Sequence, residues 1–268
     1  MKEKLNKLRN ILLRMDSVLL AYSGGVDSTF LLKLVCDTLG KDSVLAVTAD
    51  SETYPRNELI FARKMAAKFD VKHLIIKTGE LHNPKFANNP INRCYYCKRE
   101  LFSQLKKIAK TKRIKYVLDA SQASDDLDFR PGDKAKKELK ICSPLKDAGF
   151  SKADIRQLSR RFNLPTWDMP AQACLASRFP YGTKITPKGL KRVEKAENII
   201  KSLGFQQVRV RNYDSTARIE VEKDKVFLLI SKLRAKDLSR IKKIVYRYIT
   251  VDLDGYRAGR LNEEIKKK

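Results

Sequence analysis

The stretch AYSGGVDST, residues 21–29, decides the fold predicted for this sequence. The apolar run SVLLAYS (17–23) leads into it, and a helix-like segment, 27–39, follows and ends at Gly40. Glycines let the backbone approach a ligand closely, and the amide groups at a helix start attract negative charge. A strand, this turn and a helix in that order therefore predict a loop that binds phosphate.

The composition of the loop narrows the kind of nucleotide site. Ser23, Ser28 and Thr29 add hydroxyl donors to the backbone amides. The loop has neither the lysine of G-x-x-x-x-G-K-[ST] nor the spacing of G-x-G-x-x-G, so neither of those nucleotide-binding patterns fits. The alternative is an ordinary glycine turn that caps a helix. The residues predicted to bind ATP or pyrophosphate are Ala21, Ser23, Gly24, Gly25, Asp27, Ser28, Thr29, Asp50 and Ser51.

Apolar strand-like runs alternate with helix-like segments through the first half of the chain. After the loop come SVLAVTAD (43–50), HLIIKT (73–78) and YVLDAS (116–121), with helices expected at 56–69 and 97–110. Buried strands that alternate with helices predict an α/β fold, a doubly wound parallel sheet covered on both faces. Ligands of such sheets bind at the carboxyl ends of the strands, where Asp50 and Ser51 would lie beside the loop.

A segment rich in proline and turn-forming residues, 163–187, follows a helix that Ser151 would cap. We predict a domain boundary within this segment, which gives a first domain at 1–170 and a smaller C-terminal α+β domain at 171–268. The elements predicted beyond the boundary are a helix from Thr186 to Gly204, the strands QVRVRN and ARIEVE, a helical stretch at 224–243 and a strand near 245–253.

The chain carries a net charge of +26, from 57 Lys and Arg against 31 Asp and Glu. Such a charge suits a polyanion such as RNA, or a strongly solvated surface. The sequence shows no stripe of interleaved aromatic and basic residues, so we expect no nucleic-acid partner. It also has no apolar run of about 18 residues, and its start, MKEKLNKLRNILLRMD, is a basic amphipathic helix rather than a cleaved signal. We therefore expect a cytoplasmic protein with no membrane partner.

The chain has five cysteines, an odd number that argues against a disulfide scaffold. Cys94 and Cys97 form C-x-x-C at a helix start, and Cys174 stands alone in AQACLASR. A helix start favours the thiolate, the form that binds metal or attacks electrophiles. The pattern fits zinc, an iron-sulfur cluster or a redox pair, and the alternatives are a zinc site without its fourth ligand or buried inert thiols. Cys36 and Cys142 lie among apolar residues and are predicted to belong to the core.

Two acidic residues follow the run YVLDAS. Asp125 and Asp126 are candidate ligands for Mg²⁺, because this cation prefers carboxylate and phosphate oxygens. The alternative is a pair of solvated loop carboxylates.

Arginines in the second domain are candidates for binding a substrate anion. Arg209 and Arg211 share one strand face, which suits a phosphate or a carboxylate. The alternative is that they pair with Glu220 or Glu222 across a hairpin. Arg178, which follows Cys174 by four residues, is a similar candidate.

These segments together resemble one family, LarE, within the PP-loop ATP pyrophosphatase superfamily. Its members are ATP-dependent sulfur transferases that build the nickel-pincer cofactor of lactate racemase. The likeness covers nearly the whole chain and implies an adenine nucleotide alpha hydrolase-like fold. Besides SGGVDST, it rests on TADSETYPRNEL (48–59), RCYYCK (93–98), DFRPGDKAKKEL (128–139), SPLKDAGFSKADIRQLSRRFNLPTWDMPAQACLASRFPYGTKIT (143–186) and VRVRNYDSTARIEV (208–221).

The resemblance implies a reaction in two steps. ATP and Mg²⁺ adenylate a carboxylate of pyridinium-3,5-dicarboxylate mononucleotide, and sulfur then displaces AMP to give a thiocarboxylate. The cysteine at 174 carries the sulfur, and Glu197 faces the active site. The chain is similar to members with cysteines at positions matching 94, 97 and 174, which hold a [4Fe-4S] cluster with an extra sulfide. The implied partners are the nucleotide substrate, ATP, sulfide or another sulfur donor, and further copies of the chain in a homo-oligomer.

Three alternatives remain open. Cys174 can give up its own sulfur and become dehydroalanine, without a cluster. A tRNA thiolase joins a pyrophosphate loop to cysteines as well, and a non-catalytic nucleotide-binding protein with a zinc knuckle belongs to another class. The chain departs from the LarE pattern at Ala120, Ser121 and Gln122, at Tyr213, where a histidine is frequent, and at Arg260, where a small residue is usual.

Overall fold

A computed structural model describes residues 1–127 and 130–264, without the side chains of Asp126, Leu127 and Glu264. Its strands are β1 (Val18–Ala21), β2 (Val44–Asp50), β3 (Lys72–Lys77), β4 (Tyr116–Leu118), β5 (Val208–Tyr213), β6 (Thr216–Val221) and β7 (Tyr248–Val251). Its α-helices are α1 (Lys2–Leu13), α2 (Val26–Leu39), α3 (Arg56–Lys68), α4 (Pro84–Ala87), α5 (Arg93–Thr111), α6 (Gly132–Glu138), α7 (Pro144–Asp147), α8 (Lys152–Arg161), α9 (Pro187–Ser202), α10 (Val226–Lys232) and α11 (Ala235–Lys243).

The first of two compact units comprises Met1–Glu80 and Asn92–Met169. Its strands form a parallel sheet in the order β3-β2-β1-β4, and Val18 lies opposite both Val44 and Tyr116. The predicted α/β parallel sheet is therefore confirmed. The strand order reverses between β1 and β4, which is where open sheets of this type bind ligands.

Helices cover both faces of this sheet. In β1, Val18 and Leu20 belong to a core cluster with residues of α1, α2 and α8, whereas Leu19 packs with Phe102 and Leu105 of α5. Because successive side chains of a strand point to opposite faces, a strand buried on both sides is apolar at every position. This explains the continuous apolar run that precedes the loop.

The second unit comprises Leu81–Ile91 and the chain from Pro170 onward. Its sheet has the order β5-β6-β7, with β5 and β6 antiparallel and β6 and β7 parallel. The sequence predicted that residues 81–91 belong to the first domain. Two backbone hydrogen bonds instead join this segment to residues of the second unit. The Ile185 amide donates to the Ala87 carbonyl at 2.7 Å, and the Gly182 amide donates to the Asn89 carbonyl at 2.9 Å.

Two helices begin or end at residues other than those predicted. The helix expected at 97–110 begins at Arg93, so Cys94 and Cys97 both lie within its first turns. The helical stretch expected at 224–243 is divided into α10 and α11, because Leu233 and Arg234 adopt extended backbone angles. Among the residues described, no helix combines the length and the apolar character needed to cross a membrane.

Candidate functional site

The predicted phosphate loop lies between β1 and α2. Gly25 is the N-cap of α2, in an extended conformation with φ −76° and ψ 175°, and no side chain caps the helix. The first helical bond runs from the Thr29 amide to the Gly25 carbonyl at 2.9 Å, so the amides of residues 26–28 have no helical acceptor. Ser23 Oγ lies 3.1 Å from Ser28 Oγ beside these amides. The arrangement offers backbone and hydroxyl donors to an anion.

Gly24 fixes how closely the loop packs against α3. Its φ is +68°, and a Cβ built on it would lie 2.8 Å from both Cα and Cβ of Ala62. Backbone conformation and space therefore both require glycine at this position. The Tyr54 hydroxyl donates to the Ser23 carbonyl at 2.5 Å. Burial, with the nearby Glu58 carboxylate, raises the pKa of Tyr54 above its ordinary value, so its hydroxyl stays protonated and can donate.

Asp50 and Ser51 lie at the end of β2, as predicted, and both contact other side chains. Asp50 Oδ1 accepts a bond from Arg56 at 2.9 Å, and Asp50 Oδ2 accepts one from Lys77 at 2.5 Å. Burial raises the pKa of Asp50, but these two cations outweigh it and leave the pKa below its ordinary value. Ser51 Oγ donates to the buried carboxylate of Glu80 at 2.8 Å.

A buried network that sequence reasoning missed lies at the end of β4. Asp119 is 6% exposed, and its carboxylate accepts bonds from Ser121 Oγ at 2.7 Å and from Ser143 Oγ at 2.6 Å. Lys136 Nζ lies 3.1 Å from it. Burial raises the pKa of Asp119, but the positive charge of Lys136 and these hydroxyl bonds bring it below the ordinary value. Asp119 ends an apolar run, as Asp50 does, and this position could have predicted it as a site residue. Lys136 could not have been predicted, because it is one of many lysines in its segment.

Asp125, a predicted Mg²⁺ ligand, is also buried. Its carboxylate accepts bonds from the Gln122 amide at 3.1 Å and from Gln122 Nε2 at 2.7 Å, and it pairs with Arg130 at 2.7 Å. The side chain of Asp126 lies outside the described residues. The magnesium role of this pair remains a prediction.

Cys94 and Cys97 lie in the first turns of α5, three residues apart and thus on one face of the helix. Cys94 is exposed and Cys97 is half-buried, and neither forms a disulfide. Cys174 is exposed and belongs to the second unit. Among residues 1–127 and 130–264, no group of three or more His, Cys, Asp or Glu side chains is arranged to hold a metal ion.

The other two cysteines differ from these in their surroundings. Cys36 and Cys142 are half-buried against the core of the first unit. Burial, together with the Asp37 carboxylate, raises the pKa of Cys36 to about 11, and burial likewise raises the pKa of Cys142. Both are neutral thiols at neutral pH, as expected of core residues.

Cys174 precedes a short 3-10 turn, Leu175–Arg178, in a segment that buried arginines hold in place. Arg178 donates through Nε and Nη2 to the two oxygens of Glu197, at 2.7 and 3.0 Å. Its Nη1 donates to the carbonyls of Ala173 at 2.8 Å and of Cys174 at 3.0 Å. Burial raises the pKa of Glu197, but the Arg178 guanidinium outweighs it and keeps the pKa below its ordinary value.

Two arginines of β5 bind the same segment. Arg209 donates to the Ala171 carbonyl at 2.6 Å, and Arg211 donates to the Ser177 carbonyl at 2.8 Å. Arg211 also pairs with the buried Glu220 at 3.0 and 2.8 Å. Burial, with the positive charge of Arg178, lowers the pKa of Arg209 to about 10, which leaves it protonated at neutral pH. We call Arg178, Arg209 and Arg211 the arginine cluster.

The arginine cluster thus contacts carbonyls on both sides of Cys174. The sequence predicted its members as ligands of a substrate anion, and that role remains a prediction. The alternative pairing with Glu220 is present for Arg211, while the described bonds of Arg209 are to carbonyls. The contacts with the Cys174 segment had no signal in the sequence, because they depend on how the segment folds back on β5.

Comparison with known proteins covers the whole chain. The sequence profile of the NAD synthase family matches residues 3–91. An uncharacterized protein of Synechocystis is 40% identical over 268 residues, all of both chains. The pyridinium-3,5-bisthiocarboxylic acid mononucleotide synthase of Lactiplantibacillus plantarum is 36% identical over 255 residues, which are 94% of this chain and 91% of that protein. An uncharacterized protein of Methanocaldococcus jannaschii is 28% identical over 259 residues, 96% of this chain and 98% of its own length.

Proposed function

The chain belongs to the LarE family, that of the pyridinium-3,5-bisthiocarboxylic acid mononucleotide synthase, and on this premise we propose that it is an adenylating sulfur transferase. Its substrate is pyridinium-3,5-dicarboxylate mononucleotide, and its products are the thiocarboxylate, AMP and pyrophosphate. The observation that carries the proposal is the exposed Cys174, whose backbone the arginine cluster holds from both sides.

In the first step a substrate carboxylate oxygen attacks the α-phosphorus of ATP and pyrophosphate leaves. The step is needed because a carboxylate is a poor electrophile until its oxygen becomes part of a leaving group. The amides at the start of α2 and the hydroxyls of Ser23 and Ser28 would stabilise the negative charge of the departing pyrophosphate. Asp125 and Asp126, the predicted ligands, would hold Mg²⁺, which would neutralise part of the same charge.

In the second step a sulfur carried at Cys174 attacks the carbonyl carbon of the acyl adenylate. A carbon-sulfur bond forms and the carbon-oxygen bond to AMP breaks. Arg178, Arg209 and Arg211 supply buried positive charge within one hydrogen bond of the Cys174 segment, which supports their proposed role toward a phosphate or carboxylate of the substrate. Glu197 keeps Arg178 oriented for this role.

The sulfur has two possible origins. Cys94, Cys97 and Cys174 would hold a [4Fe-4S] cluster, and thiolate is the ligand type that such clusters require. When bound, the cluster supplies an exchangeable sulfide, so that turnover is catalytic. Without it, the Cys174 thiolate itself displaces AMP and forms a thioester with the substrate. The Cβ–Sγ bond then breaks as the Cα proton leaves, which gives the thiocarboxylate and dehydroalanine at position 174.

The proposed reaction can be tested with purified protein, ATP, Mg²⁺, sulfide and pyridinium-3,5-dicarboxylate mononucleotide under anaerobic conditions. We expect AMP, pyrophosphate and a thiocarboxylate in equal amounts, measured by liquid chromatography with mass spectrometry. The result that contradicts the proposal is ATP that stays intact, or is cleaved without the pyridinium compound gaining sulfur. If the protein instead binds tRNA and high salt abolishes that binding, the result favours a tRNA thiolase. The net charge of +26 would then attract the RNA backbone.

The cluster gives a separate prediction. Anaerobically purified protein should contain about four iron atoms and about four acid-labile sulfides per chain, or about five when the extra sulfide is bound, with broad visible absorption. Cys97→Ala should lose most of this iron, because one of three thiolate ligands is missing. Cys142→Ala is the matched control and should retain it, since Cys142 is a half-buried core thiol. Full activity in protein that holds zinc or no metal would refute the cluster.

A further inference from the structure

The phosphate loop carries no lysine, but the fold brings one to it from a distant part of the chain. Lys152 Nζ donates to both carboxylate oxygens of Asp27, at 2.8 and 2.7 Å. Asp27 belongs to the loop and to the first turn of α2, and 125 positions separate the two residues. The ion pair therefore places an ammonium group at a loop residue in the first turn of α2.

The start of α8 holds Lys152 in a defined position. Ser151 and Asp154 form a capping box, in which Ser151 Oγ accepts from the Asp154 amide at 3.2 Å and Asp154 accepts from the Ser151 amide at 2.9 Å. Lys4 of α1 donates to the same Asp154 carboxylate at 2.6 Å. Ile155 and the next turn of α8 lie in the core cluster that α2 also forms. The capping box, the bond from Lys4 and the core contacts of Ile155 therefore hold the backbone of Lys152 in place.

The ammonium group is in a position to meet a ligand. An ammonium has three hydrogens, and the two bonds to Asp27 leave one for a phosphate oxygen. The Lys152 side chain is 36% exposed and that of Asp27 is 26% exposed, so the pair is reached from solvent. Without Lys152, the Asp27 carboxylate would repel an anion at the start of α2, and the lysine offsets this charge.

We propose that Lys152 is the phosphate-binding lysine of the nucleotide site, held there by Asp27, and that it contacts the pyrophosphate portion of ATP. The inference rests on the proposed function, because it presumes ATP as the ligand of the loop. It adds a residue from α8 to a site that sequence reasoning built from 21–29 and 50–51. In other nucleotide sites a lysine within the loop binds the phosphates. Here Lys152 would do so from a separate helix, α8.

The test compares Lys152→Met with Lys33→Met. Lys33 lies on α2, the helix that follows the loop, and forms an ion pair with Asp37, with side chains 31% and 39% exposed. Its loss therefore removes the same charge from a similarly exposed lysine–aspartate pair. Binding of ATP, inorganic pyrophosphate and AMP is measured by calorimetry at equal Mg²⁺ and salt. Lys152→Met should weaken the binding of ATP and of pyrophosphate by about 10- to 100-fold, and the binding of AMP by at most about threefold. Lys33→Met should leave all three unchanged.

Each outcome decides the question. If Lys152→Met binds ATP and pyrophosphate as tightly as the unaltered chain, the inference fails and the proposed function stands. If AMP weakens as much as ATP, Lys152 shapes the whole site and the inference also fails. If the unaltered chain does not bind ATP, the proposed function itself fails. Lys152→Arg keeps the charge and should recover most of the pyrophosphate affinity, which separates a lost contact from a disturbed helix.

Discussion

Replacing Cys174 with alanine is expected to abolish thiocarboxylate formation, by more than about 1,000-fold. The reason is that both proposed routes need this side chain, either as a ligand of the cluster that holds the sulfide or as the source of the sulfur atom itself. Formation of the acyl adenylate with release of pyrophosphate in a single turnover should persist, because the loop residues lie in the other unit. The two half-reactions are followed together by mass spectrometry of the pyridinium compound and by pyrophosphate release.

Cys36→Ala is the matched control for Cys174. Cys36 is half-buried, and burial raises its pKa to about 11, so its thiol stays neutral and should contribute nothing to sulfur transfer. Undiminished thiocarboxylate formation by the Cys174 variant would rule out the proposed role. Mass spectrometry of the unaltered protein after turnover separates the two routes, because the sacrificial one leaves the chain lighter by the elements of hydrogen sulfide.

The second large effect is expected on stability. Glu197→Gln should lower the free energy of unfolding by about 3 kcal/mol, because it leaves the buried guanidinium of Arg178 without its counter-charge. Both side chains are 2% exposed, so water cannot replace the lost partner. Urea denaturation of the full chain, followed by circular dichroism, measures the change.

An exposed glutamate provides the comparison for Glu197. Glu263 pairs with Arg257, but the two side chains are 52% and 53% exposed, and Glu263→Gln should change stability by less than about 0.5 kcal/mol. An equal effect of the two substitutions would show that the buried ion pair does not stabilise the second unit. Activity alone would not distinguish these outcomes, which is why unfolding is measured.

The Glu197 contribution should also depend on pH. The folded-state pKa of Glu197 lies below its ordinary value of 4.5, since Arg178 outweighs the effect of burial. A carboxyl group with a depressed pKa adds stability that is fully present above the unfolded pKa and is lost as pH falls through the folded one. The stability difference between the unaltered chain and Glu197→Gln should therefore be largest at neutral pH and shrink below about pH 4. A difference that grows in acid would contradict this assignment.

The sequence predicted those features that local rules control. The sheet was predictable because strands buried on both faces, such as β1, leave a continuous apolar run. The loop was predictable because glycine has few substitutes where φ is positive, as at Gly24. The capping of α8 by Ser151 followed from residue types alone.

The features that escaped prediction depend on distant contacts. Nothing in the residue types shows that Lys152 meets Asp27, or that Arg209 meets the Ala171 carbonyl, because lysines and arginines are abundant throughout this chain. The break between α10 and α11 was missed for a related reason, since Leu233 has a good helical propensity and the surrounding fold overrides it. Residue types indicated which chemistry is present, and tertiary structure decides which groups meet.

The segment Leu81–Ile91 has a consequence for the order in which the chain folds during synthesis. Asn89 donates to the carbonyl of Phe179, 90 positions later, and Phe86 on the same segment is only 2% exposed. A ribosome adds about 5 to 20 residues per second, so this stretch emerges roughly 5 to 20 seconds before its partners exist. Until Phe179 has been synthesised, the Asn89 side chain lacks this carbonyl acceptor, so the second unit completes its folding only after about 90 further residues have been added.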